Sequence, residues 1–144
     1  MIDVSFLALV LLSCTYATIA GPKEGRVVSC LFVVAWLGSF PASAMNPLNR
    51  QAIDLYLFAI DLLMFGGLSA VAGRTQFYWP VWVLGFHCAS LSMDVVLLVV
   101  QGWQPIVYDV LHAFWSVPEL LVMPVGIHLD RKAGLLKGCS VTRL

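Results

Sequence analysis

Three strongly apolar stretches of this chain each carry two ionisable residues that are seven positions apart. The pairs are Asp54 with Asp61, His87 with Asp94, and His112 with Glu119. Because seven residues make nearly two turns of an α-helix, the members of each pair lie on one helix face, roughly 10 Å apart along the axis. A charged side chain is costly in hydrocarbon, so such residues usually face a bundle interior, a water-filled cavity or a ligand. The pattern predicts helices whose polar faces point toward one another.

The composition around these residues is that of an integral membrane protein. Of the 144 residues, 60% are hydrophobic and 11% are charged, and the mean hydropathy is +0.91. Soluble domains carry about 25% charged residues. The formal net charge is zero, and the sequence has no basic arm or acidic tail, which argues against a nucleic-acid partner. We expect the lipid bilayer to be the immediate partner of the chain.

Five apolar runs, each long enough to cross a bilayer, are separated by short polar breaks. The runs cover residues 4–20, 27–44, 52–72, 77–100 and 106–127. Each break contains glycine or proline with polar neighbours, which is the composition of a turn. Short connections favour sequential helices that lie antiparallel and side by side. The sequence therefore predicts an all-α domain of five transmembrane helices at residues 1–130 and a short basic tail at 131–144.

The distribution of Lys and Arg predicts the orientation of these helices. Seven of the eight basic residues fall in the first loop, the third loop and the tail, whereas Arg50 falls on the other side. The positive-inside rule then places the N-terminus outside and the tail in the cytoplasm. Tyr78 and Trp79 are expected at the inner interface, with Trp103 and Tyr108 at the outer one.

The first span has two other interpretations. Ala20 after Thr18 resembles a signal-peptidase site, and the Leu-Leu-Ser-Cys run at residues 11–14 resembles the lipobox of a bacterial lipoprotein. However, Asp3 stands where a signal peptide carries positive charge. Cleavage would also place the basic tail on the outer side. We expect the first helix to be retained.

The polar faces of the last three helices are predicted to form an ion or proton pathway. The expected depth of each polar residue in the membrane follows from its position along the helix, counted from the outer boundary. From outside inward, the order is Asp54 and Asp109, then His112 and Asp94, then Asp61, then Glu119 and His87. Successive levels differ by several ångström at about 1.5 Å per residue. Such a ladder would bind or conduct a proton or a small cation.

A metal site is an alternative for the same residues. Asp61, Asp94 and His112 come near one level, and two carboxylates with one imidazole can bind a divalent metal. That site would suit a membrane enzyme. No nucleophile triad, phosphate-binding loop or His-Glu-x-x-His motif is present in the sequence, so the enzymatic role is the less favoured interpretation.

A structural role is the other alternative. Polar residues in membrane spans often hold helices in register through interhelical hydrogen bonds. The chain would then be a structural or interaction subunit of a larger membrane complex, including one derived from a phage. Gly66 and Ala70 have the spacing that permits close helix approach, either within the protein or between copies in a homo-oligomer.

Two aromatic segments carry a resemblance to known proteins. They are Tyr-Trp-Pro-Val-Trp at residues 78–82 and Phe-Trp-Ser-Val-Pro at residues 114–118. The chain resembles, over residues 52–127, a group of small bacterial multi-span membrane proteins of uncharacterised function. That group pairs an aromatic-Trp-Pro-Leu-Trp segment with a later aromatic-Trp-Ser-Tyr-Pro segment, so Val81 and Val117 depart from its pattern. The resemblance implies a bacterial inner-membrane location and no particular reaction.

Overall fold

The computed structural model describes residues 4–44, 50–99 and 105–134, and it describes the backbone alone at residues 4–5, 43–44, 50, 97 and 105–113. Over these ranges the chain forms five helices and no strand, which confirms the all-α prediction for this part of the protein. The helices are α1 (Val4–Ala20), α2 (Lys23–Ala44), α3 (Arg50–Ala72), α4 (Trp79–Val99) and α5 (Pro105–Lys132). Their ends follow the predicted apolar runs closely, except that α2 begins at Lys23, four residues before its predicted run, and α5 continues past residue 127 to Lys132.

The five described helices form a closed ring in chain order. Each packs on the helix before it and the helix after it, and α5 packs on α1 to close the ring. Consecutive helices are antiparallel because their connections are short. The closing pair is parallel, because the ring has an odd number of helices. Tyr16 of α1 accordingly lies 3.5 Å from His128 of α5, near the carboxyl end of both helices.

Glycines allow two neighbouring pairs of helices to approach closely. A Cβ atom at Gly126 of α5 would come within 2.2 Å of the Trp79 side chain at the start of α4. A Cβ atom at Gly67 of α3 would lie 2.9 Å from Leu31 of α2. Gly66 makes no close contact within the described chain, since nothing lies within 4 Å of its Cβ position and it faces outward, and its expected contact between copies stays a prediction. The close contact of α3 is therefore made one residue further along the helix.

The fully buried apolar side chains lie in one half of the bundle. This apolar core consists of residues with no exposed surface, namely Ala17, Val28, Leu68, Val83, Met123 and Ile127. Each belongs to the half of its helix nearest the connections at residues 21–22 and 73–78. The same end, called here the basic end, carries Lys23, Arg26, Arg74, Arg131 and Lys132. Partial burial there raises the pKa of Asp130 above its ordinary value.

The outer surface of the bundle is apolar, whereas acids and a histidine lie inside. Leu12 is 70% exposed and Leu63 is 77% exposed, while Asp94 and Glu119 are buried. This is the reverse of the pattern in soluble proteins. Two segments, Lys23–Ala42 and Gln51–Ala72, are long and apolar enough to cross a membrane, and Phe6–Ala20 is a shorter apolar helix. These features favour association with a membrane.

The neighbouring residues Tyr78 and Trp79, where α4 begins, differ in burial: Tyr78 lies on the surface and Trp79 in the core. Tyr78 is 76% exposed, as expected for an interfacial side chain, but Trp79 is 2% exposed. Trp79 packs against the backbone of Gly126, so it belongs to the interior. Trp103 and the side chain of Tyr108 lie outside the described part of the chain.

Replacing Gly126 tests the close contact between α4 and α5. We expect Gly126→Ala to lower the free energy of unfolding by about 1–3 kcal/mol, because the new methyl group overlaps Trp79. Unfolding of the detergent-solubilised protein is followed by circular dichroism. Gly85→Ala in α4 is the matched control, since nothing lies within 4 Å of its Cβ position. Equal stability of the two variants would contradict the contact.

Candidate functional site

His87 lies inside the bundle and contacts two neighbouring helices through its two ring nitrogens. The side chain is 4% exposed. Its Nε2 atom is 3.0 Å from the backbone carbonyl oxygen of Asp61 on α3. Its Nδ1 atom is 3.3 Å from Oε1 of Glu119 on α5. A carbonyl oxygen only accepts hydrogen bonds. Nε2 therefore carries a hydrogen atom and donates a hydrogen bond to the backbone carbonyl oxygen of Asp61.

The contact between His87 and Glu119 then holds one further proton. Either the Glu119 carboxyl is protonated and donates to Nδ1 of a neutral ring, or a protonated ring donates to a carboxylate. The two arrangements contain the same number of protons, and the pair has no net charge in either. The 3.3 Å separation of Nδ1 and Oε1 is that of a buried ion pair and is longer than an ordinary hydrogen bond. A neutral pair avoids the large cost of burying an isolated charge.

A cavity of about 120 Å³ lies beside this pair, and all five helices contribute to its lining. Residues of α3, α4 and α5 form a polar wall with Asp61, His87, Ser90, Ser116 and Glu119. Residues of α1 and α2 form an aromatic wall with Phe6, Phe32, Trp36 and Ser39. The volume accommodates several water molecules at about 30 Å³ each.

Helical periodicity explains why these side chains face the cavity. On α4, Val83, His87, Ser90 and Asp94 follow a spacing of four, three and four residues, and all four are buried. Residues at such spacings share one face of a helix. The opposite face of α4 carries exposed apolar side chains such as Trp82. His87, Ser90 and Asp94 therefore lie on the buried face of α4.

The cavity lies between the apolar core and the end of the bundle opposite the basic end. Its lining reaches Phe6, near the start of α1, and Ser39, near the end of α2. In the other direction it ends at Met64 and Leu120, which adjoin the apolar core. Within the described residues, packed apolar side chains thus separate the cavity from the basic end.

The structure brings three of the predicted site residues together. Asp61, His87 and Glu119 all line the cavity. The backbone carbonyl group of Asp61 contacts the His87 ring, and the depth order predicted for the two side chains stays a prediction. Asp94 is 5% exposed and lies two turns from His87, away from the cavity lining. Asp54 is partly buried, two turns from Asp61 on α3.

The other predicted residues fall outside the described side chains. Asp109 and His112 belong to α5, whose backbone alone is described at those positions. Among the side chains that are described, no group of three His, Cys, Asp or Glu residues is placed to hold a metal ion. The predicted metal set of Asp61, Asp94 and His112 includes one residue outside this search.

Sequence reasoning missed the contribution of the first two helices. It placed the polar site among the last three spans, whereas Phe6, Phe32 and Trp36 form the facing wall of the cavity. A signal was present in α2, where Phe32, Trp36 and Ser39 follow a four and three residue spacing. In a helix that is apolar on every side, such a stripe of aromatic residues is not distinguishable from lipid-facing residues by periodicity alone.

Comparison with known proteins identified no relative of this chain. No family model, curated protein or solved structure matches the chain. The fold and the cavity together define the class of the molecule as a five-helix bundle, over the residues described, with an apolar exterior and a His–Glu pair inside. Its function is argued from that geometry.

Substitutions of Glu119 test the buried pair. We expect Glu119→Leu to lower the free energy of unfolding by about 1–3 kcal/mol, because it leaves the Nδ1 atom of buried His87 without its ion-pair partner. Glu119→Gln is the matched variant, since an amide of similar shape still bonds to Nδ1, and its loss should be smaller. Unfolding in detergent, followed by circular dichroism, measures both. A larger loss in the Gln variant would contradict the proposed contact.

Proposed function

We propose that this protein is a multi-pass protein of a bacterial inner membrane whose central cavity binds or conducts a proton or a small cation. The observation that carries the proposal is the position of His87. Its ring lies on the cavity wall and contacts both the Asp61 carbonyl group and the Glu119 carboxyl group. Imidazole and carboxyl groups both accept and release protons, and such residues inside membrane spans often mark proton pathways.

The proposed topology has five membrane spans, with the N-terminus outside and the C-terminus in the cytoplasm. The ring of helices and its apolar exterior support this arrangement. The basic residues Lys23, Arg26, Arg74, Arg131 and Lys132 lie at one end of the bundle, which the positive-inside rule assigns to the cytoplasm. The cavity then faces the outer side, and the apolar core lies between it and the cytoplasm.

Each predicted residue has a role in this proposal. Asp54 and Asp109 attract the cation at the outer side. His112, Asp94 and Asp61 hold it, and Glu119 and His87 pass a proton inward. The step within the pair is the movement of a proton between Glu119 Oε1 and His87 Nδ1, which leaves Nε2 bonded to Asp61 throughout. Conduction past the apolar core requires a shift of the helices, whereas binding does not.

A structural role is the second candidate, and the same histidine supports it. His87 joins α3, α4 and α5 through two contacts, and interhelical hydrogen bonds of this kind contribute about 0.6–2 kcal/mol in membranes. On this proposal the chain is a subunit of a larger membrane complex, or a homo-oligomer, and the polar residues fix the register of its helices.

Proton flux into liposomes separates the two candidates. The protein is reconstituted into liposomes that contain a pH-sensitive dye, and valinomycin is added to set up an inside-negative potassium diffusion potential. We expect the internal pH of the liposomes to fall. Glu119→Gln and His87→Gln should reduce this flux to that of protein-free liposomes, because each removes a proton-exchanging group. The matched controls are Glu24→Gln and His128→Gln, which make the same changes near the basic end.

Two results would contradict the proton relay. Undiminished flux in Glu119→Gln and His87→Gln would exclude these residues from the pathway. If the folded wild-type protein conducts no protons, while both variants lose stability, the structural role is favoured. Asp61→Asn and Asp94→Asn extend the test to the residues proposed to hold the cation.

Fusions to the C-terminus test the proposed topology. A fluorescent protein that folds only in the cytoplasm should be bright when fused after residue 144, and a periplasmic phosphatase at the same position should be inactive. The expected result follows from the basic residues at that end of the bundle. An active phosphatase would place the basic end outside and contradict the five-span orientation.

A further inference from the structure

We propose that the cavity binds a small organic ammonium ion between its aromatic wall and its polar wall. This ligand class goes beyond the proton or inorganic cation of the proposed function. It rests on that function only in using the same cavity, because binding of an organic cation requires neither proton transfer nor conduction. The aromatic rings that line the cavity, its charge and its size support this ligand class.

The aromatic wall is the feature that a proton or a hydrated metal ion does not explain. Phe6, Phe32 and Trp36 line the cavity opposite the acids. Aromatic faces attract organic cations, which hold water weakly, and indole is the most effective of them. Trp36 is held by an edge contact with Phe40, whose ring centroid lies 4.8 Å away at an interplanar angle of 80°. The two rings lie one turn apart on the same helix.

The two walls are also held at a fixed separation. The Tyr56 hydroxyl group of α3 donates a hydrogen bond of 2.8 Å to the carbonyl oxygen of Gly38 on α2. Gly38 lies two residues after Trp36, and Tyr56 lies five residues before Asp61. This bond ties the helix that carries the indole to the helix that carries the acid. A preformed site of this kind loses little entropy on binding.

The charge of the cavity suits a single cation. His87 and Glu119 are neutral as a pair, since one proton lies between them in either arrangement. Asp61 is the further acid in the lining, and no Lys or Arg occurs among the described residues that line the cavity. A bound cation therefore meets one additional carboxyl group and no opposing positive side chain.

The size and the hydroxyl groups narrow the ligand class. A cavity of 150 Å³ holds benzene, which has six non-hydrogen atoms, so one of about 120 Å³ holds about five, the number in a trimethylammonium group together with the carbon next to it. Ser39, Ser90 and Ser116 contribute to the lining. The Ser39 hydroxyl group donates to the carbonyl oxygen of Ala35, and its oxygen can accept a hydrogen bond from a hydroxyl group on the ligand. A methylated ammonium ion with one hydroxyl group has these properties.

Choline and its uncharged carbon analogue, 3,3-dimethyl-1-butanol, provide a matched pair of probes. The purified full-length protein in detergent is titrated with each by isothermal calorimetry. We expect choline to bind at least roughly tenfold more tightly than the alcohol, because only choline has the charge that the indole and Asp61 recognise. Equal affinity for the two probes, or no binding of choline, would overturn the proposal.

Variants of each wall locate the binding site. Trp36→Leu and Asp61→Asn should each weaken choline binding by roughly tenfold. Trp36→Phe should restore most of the affinity, which shows that the ring matters and that the protein remains folded. The matched controls are Trp82→Leu, on the exposed face of α4, and Glu24→Gln near the basic end. Equal losses in these controls would overturn the site.

The flux experiment keeps this proposal distinct from the proposed function. Choline binding without proton flux would support the organic cation site and reject the relay. Proton flux without choline binding would support the relay and reject the organic cation site. Circular dichroism and a single elution peak in size-exclusion chromatography establish that each variant is folded before its affinity is compared.

Discussion

The placement of His87 between two helices is the contact on which the interior of the bundle depends. One ring nitrogen donates to the Asp61 carbonyl group of α3, and the other faces the Glu119 carboxyl group of α5. The other adjacent helices also have polar contacts, such as Tyr56 with Gly38 and Tyr16 with His128. In lipid, where apolar side chains gain little by leaving the surroundings, such bonds and close packing hold helices together.

The two halves of the bundle have different interiors. At the basic end, residues such as Leu68 and Met123 pack with no exposed surface, and Gly126 admits Trp79 against the backbone of α5. Toward the opposite end, the cavity replaces this packing with acids, serines and aromatic rings. A cavity loses the dispersion contacts that a packed core makes, so the stability of the whole bundle rests on the apolar half.

The sequence determined the helices better than their relative positions. Glycine and proline in the polar breaks marked the ends, and the run at residues 4–20 coincides with α1. Residue spacing also placed His87 and Asp94 on one buried face. The level at which Asp61 meets His87 depends instead on how the helices slide along one another. That displacement depends on the packing of α3 against α4, which periodicity does not reveal, just as it does not reveal the close contacts of Gly126 with Trp79 and of Gly67 with Leu31.

The parallel pair of α1 and α5 closes the ring, and this has a consequence for biogenesis. The first helix leaves the ribosome before any other, and the last is the partner that completes the enclosure. Until α5 arrives, His87 lacks Glu119 and the cavity is open on one side to its surroundings. Before α5 is synthesised, the nascent chain therefore contains four helices of the ring without a finished site, and addition of the fifth completes it.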